Sequence, residues 1–309
     1  MKVLFIFIIG SLTAFVRSEP SIVVLNERFG AAQIIRPQKN EIVLRDDNFG
    51  FKSPTFAVAC ADQLFSHDEH DSNMKSLLAF NPLTNKTAFF ANAGYMEDAM
   101  LSVCWGTDVY LMTGSALVPD VFVCHTTPPL CLQIQAPTTA SCENGMFLVN
   151  NQLYTLDIDP WQCDDPDYQY GCMYKFDKKN GSWSKFGNVP WKLGPGTAYC
   201  WNWAPLDDKN LLLCYMTPET QPHCHEFHGE NGTWTLNTTK MVSPRGDFAM
   251  VNLEGQIYAL GGAKFNSQHD WAFLSTIEKY DANTKTWSML NMTLPKWIDA
   301  GEHTVVMDL

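Results

Sequence analysis

The sequence predicts an all-β chain built from a repeated unit, on three observations. Pairs of marker residues recur seven positions apart across a polar turn: Phe80–Thr87, Cys124–Cys131, Phe176–Trp183, Phe227–Trp234 and Tyr280–Trp287. Their first members stand 44, 52, 51 and 53 residues apart, a period of the size repeat architectures show. A short β-rich run precedes each: DQLFSH at 62–67, TDVYLMTG at 107–114, NQLYTLDI at 151–158, NLLLCYMT at 210–217 and GQIYALGG at 255–262.

The chain opens with Lys2, an apolar run from Val3 to Phe15 and a small-residue exit at Val16-Arg17-Ser18. That pattern is expected of a secretory signal peptide, residues 1–18, and it is too short for a membrane span of about 20 residues. No later stretch is long and apolar enough to span. The remaining 19–309 is 309 − 18 = 291 residues. The net charge of −12 becomes −14 without Lys2 and Arg17. Such a surface argues against nucleic acid, which favours clustered Lys and Arg.

Three short strands are expected next, at 22–26, 32–37 and 41–46. Five repeats follow, approximately 53–97, 98–137, 138–192, 193–242 and 243–297. In the first, Phe89 stands close to the tryptophan position; in the second, a disulfide is expected to replace the aromatic contact. The second-strand runs are nearly continuous in apolar character, as a strand covered on both faces should be. After Trp297, residues His303–Met307 look like the first strand of a further unit. Joined to 22–46, this strand would complete a blade and close a ring, leaving no uncovered apolar face. The competing expectation is a truncated array lacking that unit.

The last repeat is the best preserved. Its Gln256–Leu260 run meets Gly261-Gly262, and a second apolar run ends at Tyr280, seven residues before Trp287. This resembles one kelch repeat. The resemblance implies a kelch-type β-propeller of six four-stranded blades, one of them composite, with segments 66–75, 158–172, 217–223 and 263–272 as the recognition surface. It also makes Arg245 of the Arg245-Gly246-Asp247 tripeptide a fold residue rather than an integrin signal.

Ten cysteines in a chain expected to be exported read as disulfides. The plausible pairs are Cys124–Cys131, Cys163–Cys172, Cys200–Cys214 and Cys60–Cys104. Five sequons, at Asn85, Asn180, Asn231, Asn237 and Asn291, fit a surface-glycosylated product. The first three fall in equivalent hairpin tips.

Four clusters could carry binding chemistry. Residues 67–71 gather Asp68, Glu69 and Asp71 with two histidines, in a spacing that matches no EF-hand or HExxH site; a solvated loop is the plainer alternative. His223 and His225 share one face of a strand and are weak metal candidates, against incidental histidines beside a disulfide at Cys224. The insertion 158–172 surrounds Trp161, Tyr168 and Tyr170 with Asp164, Asp165 and Asp167, which suits a basic peptide or a sugar; a stapled decorative loop is the alternative. Its counterpart carries His269, Asp270 and Trp271.

No acyl-transfer, Walker or dinucleotide signature appears. The leading expectation is a secreted, non-catalytic module without a cofactor that binds an extracellular protein or glycan. The alternatives are a copper oxidase resembling galactose oxidase, whose two-histidine, two-tyrosine ligand set aligns with nothing here, and a structural extracellular glycoprotein.

Overall fold

Residues seven apart in the repeat face each other across one antiparallel pair. Phe80 lies opposite Thr87, Cys124 opposite Cys131, Phe176 opposite Trp183, Phe227 opposite Trp234 and Tyr280 opposite Trp287. The three aromatic pairs are in ring contact at 4.9, 4.8 and 5.1 Å, and the Cys124–Cys131 disulfide takes that role in the second unit. In the first unit Thr87 holds the tryptophan position. Phe89 instead faces Leu78 and is exposed, and Phe49 supplies the ring against Phe80 at 4.8 Å.

The structure is a computed structural model that describes residues 19–25, 31–52, 54–67, 76–93, 101–115, 118–137, 145–157, 170–192, 200–216, 223–246, 248–265, 271–295 and 304–309. It contains six four-stranded antiparallel sheets. Blade 1 is β4 (Val58–Cys60), β5 (Gln63–His67), β6 (Ser76–Asn81) and β7 (Lys86–Asn92). Blade 2 is β8 (Leu101–Trp105), β9 (Asp108–Ser115), β10 (Val118–Thr126) and β11 (Pro129–Ile134). Blade 3 is β12 (Met146–Val149), β13 (Gln152–Asp157), β14 (Tyr170–Asp177) and β15 (Ser182–Lys192). Blade 4 is β16 (Cys200–Pro205), β17 (Asn210–Met216), β18 (His223–His228) and β19 (Thr233–Asn237). Blade 5 is β20 (Ala249–Leu253), β21 (Gln256–Leu260), β24 (Thr276–Asp281) and β25 (Thr286–Thr293), with a two-stranded ribbon, β22 (Ala263–Phe265) and β23 (Trp271–Phe273), inserted between its second and third strands.

Blade 6 is composite. β26 (Thr304–Asp308) pairs with β1 (Pro20–Val24), followed by β2 (Ala32–Arg36) and β3 (Glu41–Arg45). The register runs from Pro20↔Asp308 to Val24↔Thr304. β26 also neighbours the first strands of blades 5 and 1, so the inner strands close a ring. The reading in which a sixth blade is missing is thereby set aside.

Each interface between blades holds its own apolar cluster. In β17, Leu211, Leu213 and Tyr215 pack with Phe147 and Tyr154 of blade 3. The alternate residues Leu212 and Cys214 pack with Phe248 and Met250 of blade 5. Because side chains alternate across a strand, one run must be apolar at every position to serve both neighbours. Burying a large aromatic removes about 150–250 Å² from water, so the hairpin aromatics anchor these interfaces.

Candidate functional site

Meandering blades give a disc two unlike faces. Connections between first and second strands and between third and fourth strands lie on one side, the turn face. Connections between second and third strands, and from blade to blade, lie on the other, the loop face.

The turn face is made of short turns. The first-to-second connections in blades 1 to 5 are 61–62, 106–107, 150–151, 206–209 and 254–255. Three use two consecutive positive-φ residues, Ala61-Asp62, Asn150-Asn151 and Glu254-Gly255, which fits the twist of a tight hairpin. The polar groups here tie neighbours together. The Cys60–Cys104 disulfide joins blades 1 and 2. Trp105 Nε1 donates to Asn151 Oδ1 at 2.7 Å between blades 2 and 3. The Asn150 amide donates to Asp208 O at 2.6 Å between blades 3 and 4. Asn252 Nδ2 donates to Pro205 O at 2.7 Å between blades 5 and 4. Gln38 Nε2 donates to Glu254 Oε2 at 2.8 Å between blades 6 and 5. At the rim, Arg45 Nη2 donates to Asn85 Oδ1 at 3.2 Å between blades 6 and 1. Every interface thus carries a polar or covalent link on this side.

The loop face has longer connections: 68–75 in blade 1, 158–169 in blade 3, 217–222 in blade 4 and 261–275 in blade 5; blade 2 closes with 116–117. Of the predicted binding residues, Asp68, Glu69, Asp71, Trp161, Asp164, Asp165, Asp167, Tyr168, His269 and Asp270 lie outside the described residues. Tyr170 opens β14 opposite Lys192, and Trp271 opens β23 opposite Phe265.

The blade 5 ribbon is a described part of this surface, and a buried ion pair holds its base. Arg245 and Glu278 are both fully buried, with Arg245 Nη2 2.6 Å from Glu278 Oε1. Arg245 also donates to Gly261 O at 2.8 Å, and to Thr276 O and Oγ1 at 3.2 and 3.1 Å. Glu278 accepts the amides of Val242 and Ser243 at 2.7 and 2.9 Å. Gly246 and Ala263 exchange two backbone hydrogen bonds of 2.8 Å, locking the incoming connection to the ribbon. Gly262 has φ +83°, and a Cβ there would lie 2.5 Å from Gly246 O, so the double glycine permits this approach. Arg245 is thus a fold residue, and its burial excludes the integrin reading. The ribbon projects Lys264, Ala272 and Phe273 into solvent, Phe273 being 51% exposed. Phe273 escaped the sequence reading, because nothing in WAFL marks which apolar residue leaves the core.

His223 and His225 flank Tyr215, with rings stacked at 5.7 and 5.8 Å. His223 is exposed and His225 buried. Burial, with the His223 charge second, depresses the His225 pKa to about 4. No group of three His, Cys, Asp or Glu among the described residues is placed to hold a metal.

The cysteines correct one expectation. Cys214 bonds Cys224, directly opposite on β18 with Cα atoms 4.0 Å apart, instead of Cys200. Cys200 sits opposite Met216, two residues out of register. Cys172 is disulfide-bonded; Cys163, its expected partner, lies outside the described residues. Among the sequons, Asn85, Asn180, Asn231 and Asn291 are exposed. Asn237 is only 6% exposed, its side-chain amide enclosed between Glu226 of blade 4 and Tyr280 of blade 5.

A family model described as the kelch motif matches residues 244–291. A solved structure titled "Structure of YjhT" is similar in fold, with a TM-score of 0.57 at 13% identity, covering 84% of this chain and 94% of that one. No curated protein matches. No helix among the described residues is long and apolar enough to cross a membrane. The chain is a six-bladed β-propeller that carries a kelch motif in its fifth blade.

Proposed function

We propose that this chain is an exported, glycosylated binding module that receives an extracellular protein or glycan on its loop face. The observation that carries the reading is the asymmetry of the disc. The turn face spends its polar groups on links between blades, whereas the loop face presents longer connections and a ribbon with Phe273 exposed. Exposed aromatics beside polar groups are the usual anchors of recognition surfaces. The kelch motif supports a binding role. The three disulfides placed among the described residues support export, since such bonds persist in oxidising compartments.

The test uses the purified protein on arrays of extracellular proteins and of glycans. Replacing 158–169 with a short Gly-Ser linker, or Phe273→Ala, should weaken a captured ligand at least tenfold while Lys179→Ala on the turn face leaves it unchanged. Binding that survives both loop-face changes and falls with the turn-face change would reject the reading.

A further inference from the structure

We propose that N-linked glycans occupy Asn85, Asn180 and Asn231 along the turn-side rim, and that Asn237 stays unmodified because its side-chain amide clamps blade 4 to blade 5. The proposal rests on the export reading above and adds to it how these four sequons divide between used and unused.

The three tips share one structural position. Asn85, Asn180 and Asn231 each sit in the turn between the third and fourth strands of their blades, and each is exposed. At two of them the protein holds the amide oxygen. Asn85 Oδ1 accepts from Arg45, and Asn231 Oδ1 accepts from the Thr233 hydroxyl of its own sequon at 2.7 Å. Asn180 Nδ2 donates to Asp177 Oδ2 at the solvent-exposed tip. Attachment needs the nitrogen. Its bond to the anomeric carbon of a diphosphate-linked oligosaccharide donor forms as the carbon–oxygen bond to the diphosphate breaks. The diphosphate leaves with the bonding pair, and the amide gives up one proton. One N–H survives, and an exposed tip accommodates the sugar.

Asn237 has the same sequon, Asn237-Thr238-Thr239, in the opposite environment. Its Nδ2 donates to Glu226 Oε1 at 2.9 Å and to Tyr280 OH at 2.7 Å, so both hydrogens are engaged. The hydroxyl of Thr239 donates to Lys285 O at 2.6 Å, and Lys285 Nζ lies 3.1 Å from Glu226 Oε1. These contacts join the last strand of blade 4 to the third strand and hairpin of blade 5. A glycan on Asn237 would remove one of the two donors and place a sugar where Tyr280 and Glu226 pack. Modification at this asparagine and docking of the two blades are therefore mutually exclusive.

The test is expression with the native signal segment in a eukaryotic secretory host, then enzymatic deglycosylation in heavy-oxygen water and peptide mass mapping of the secreted fraction. The expected result is label at Asn85, Asn180 and Asn231 and none at Asn237. Thr239→Ala, which destroys the sequon while keeping Asn237, should leave the secreted glycoform count unchanged. Asn237→Ala should lower the secreted yield severalfold. Label at Asn237 in folded, secreted protein overturns the clamp, and unlabelled tips on secreted protein overturn the glycan placement. A chain that stays in the cytosol with free thiols defeats the export reading and this proposal with it, an outcome distinct from the other two.

Discussion

Arg245→Met is the most informative single substitution. It removes four donated hydrogen bonds, to Gly261, twice to Thr276 and to Glu278, and leaves the fully buried Glu278 carboxylate without its cation. Breaking a buried pair from one side costs about 3–5 kcal/mol. For a chain of this size that is a fall of roughly 10 °C in Tm. Removing both charges often restores stability elsewhere, but the geometry here predicts otherwise. Glu278 also accepts the Val242 and Ser243 amides, so Arg245→Met/Glu278→Leu strips the acceptor from two part-buried donors, at up to about 1–3 kcal/mol each. The double variant is therefore no more stable than the single one. Urea denaturation followed by tryptophan fluorescence reads both. An Arg245→Met variant within about 1 kcal/mol of the parent, or a double variant that recovers fully, would refute the reasoning.

Other consequences are as direct. His225 is held neutral in the fold, with a pKa of about 4. Since an unfolded histidine titrates near 6.5, the unfolded chain binds the extra proton first, and stability falls as pH drops from about 6.5 toward 4. The loss at pH 4.5 is about 2.5 kcal/mol, read as the change in urea midpoint, and His225→Phe should remove that part of the pH dependence. Chain-entropy bookkeeping gives the Cys60–Cys104 bond, 44 residues apart, about 4 kcal/mol, against about 2.5 for Cys124–Cys131, 7 apart. Paired Cys→Ala variants compared in urea should therefore lose more at the first site. Gly262→Ala forces a Cβ against Gly246 O at positive φ and should cost more than about 1 kcal/mol, with heightened proteolysis at the blade 5 ribbon.

What was legible in the sequence follows from what is local. The seven-residue hairpins were readable because facing positions in a tight turn fix their own spacing, and the registers at Phe176–Trp183 and Tyr280–Trp287 follow it. The composite blade was readable because strand-like residues at both ends each lacked partners. Cys60–Cys104 was readable because equivalent strands of successive blades are neighbours. The bond of Cys214 to Cys224 was not, since the register of β17 on β18 is set across 217–222, a connection whose length dictates no pairing. Asn237 looked like a surface asparagine because its burial comes from the next blade, 43 residues on at Tyr280. The hydrogen-bonded links on the turn face were invisible for the same reason: each joins residues that only the packing of adjacent blades brings together.

The central claim is that the loop face recognises and the turn face holds the ring together. Hydrogen exchange of the protein with and without its captured ligand tests it most directly. The account predicts protection of 158–169, 217–222 and the 263–273 ribbon, with the turns at 81–86, 177–182 and 228–233 unchanged. Protection confined to those turns, with the ribbon exchanging as in the free protein, would contradict it.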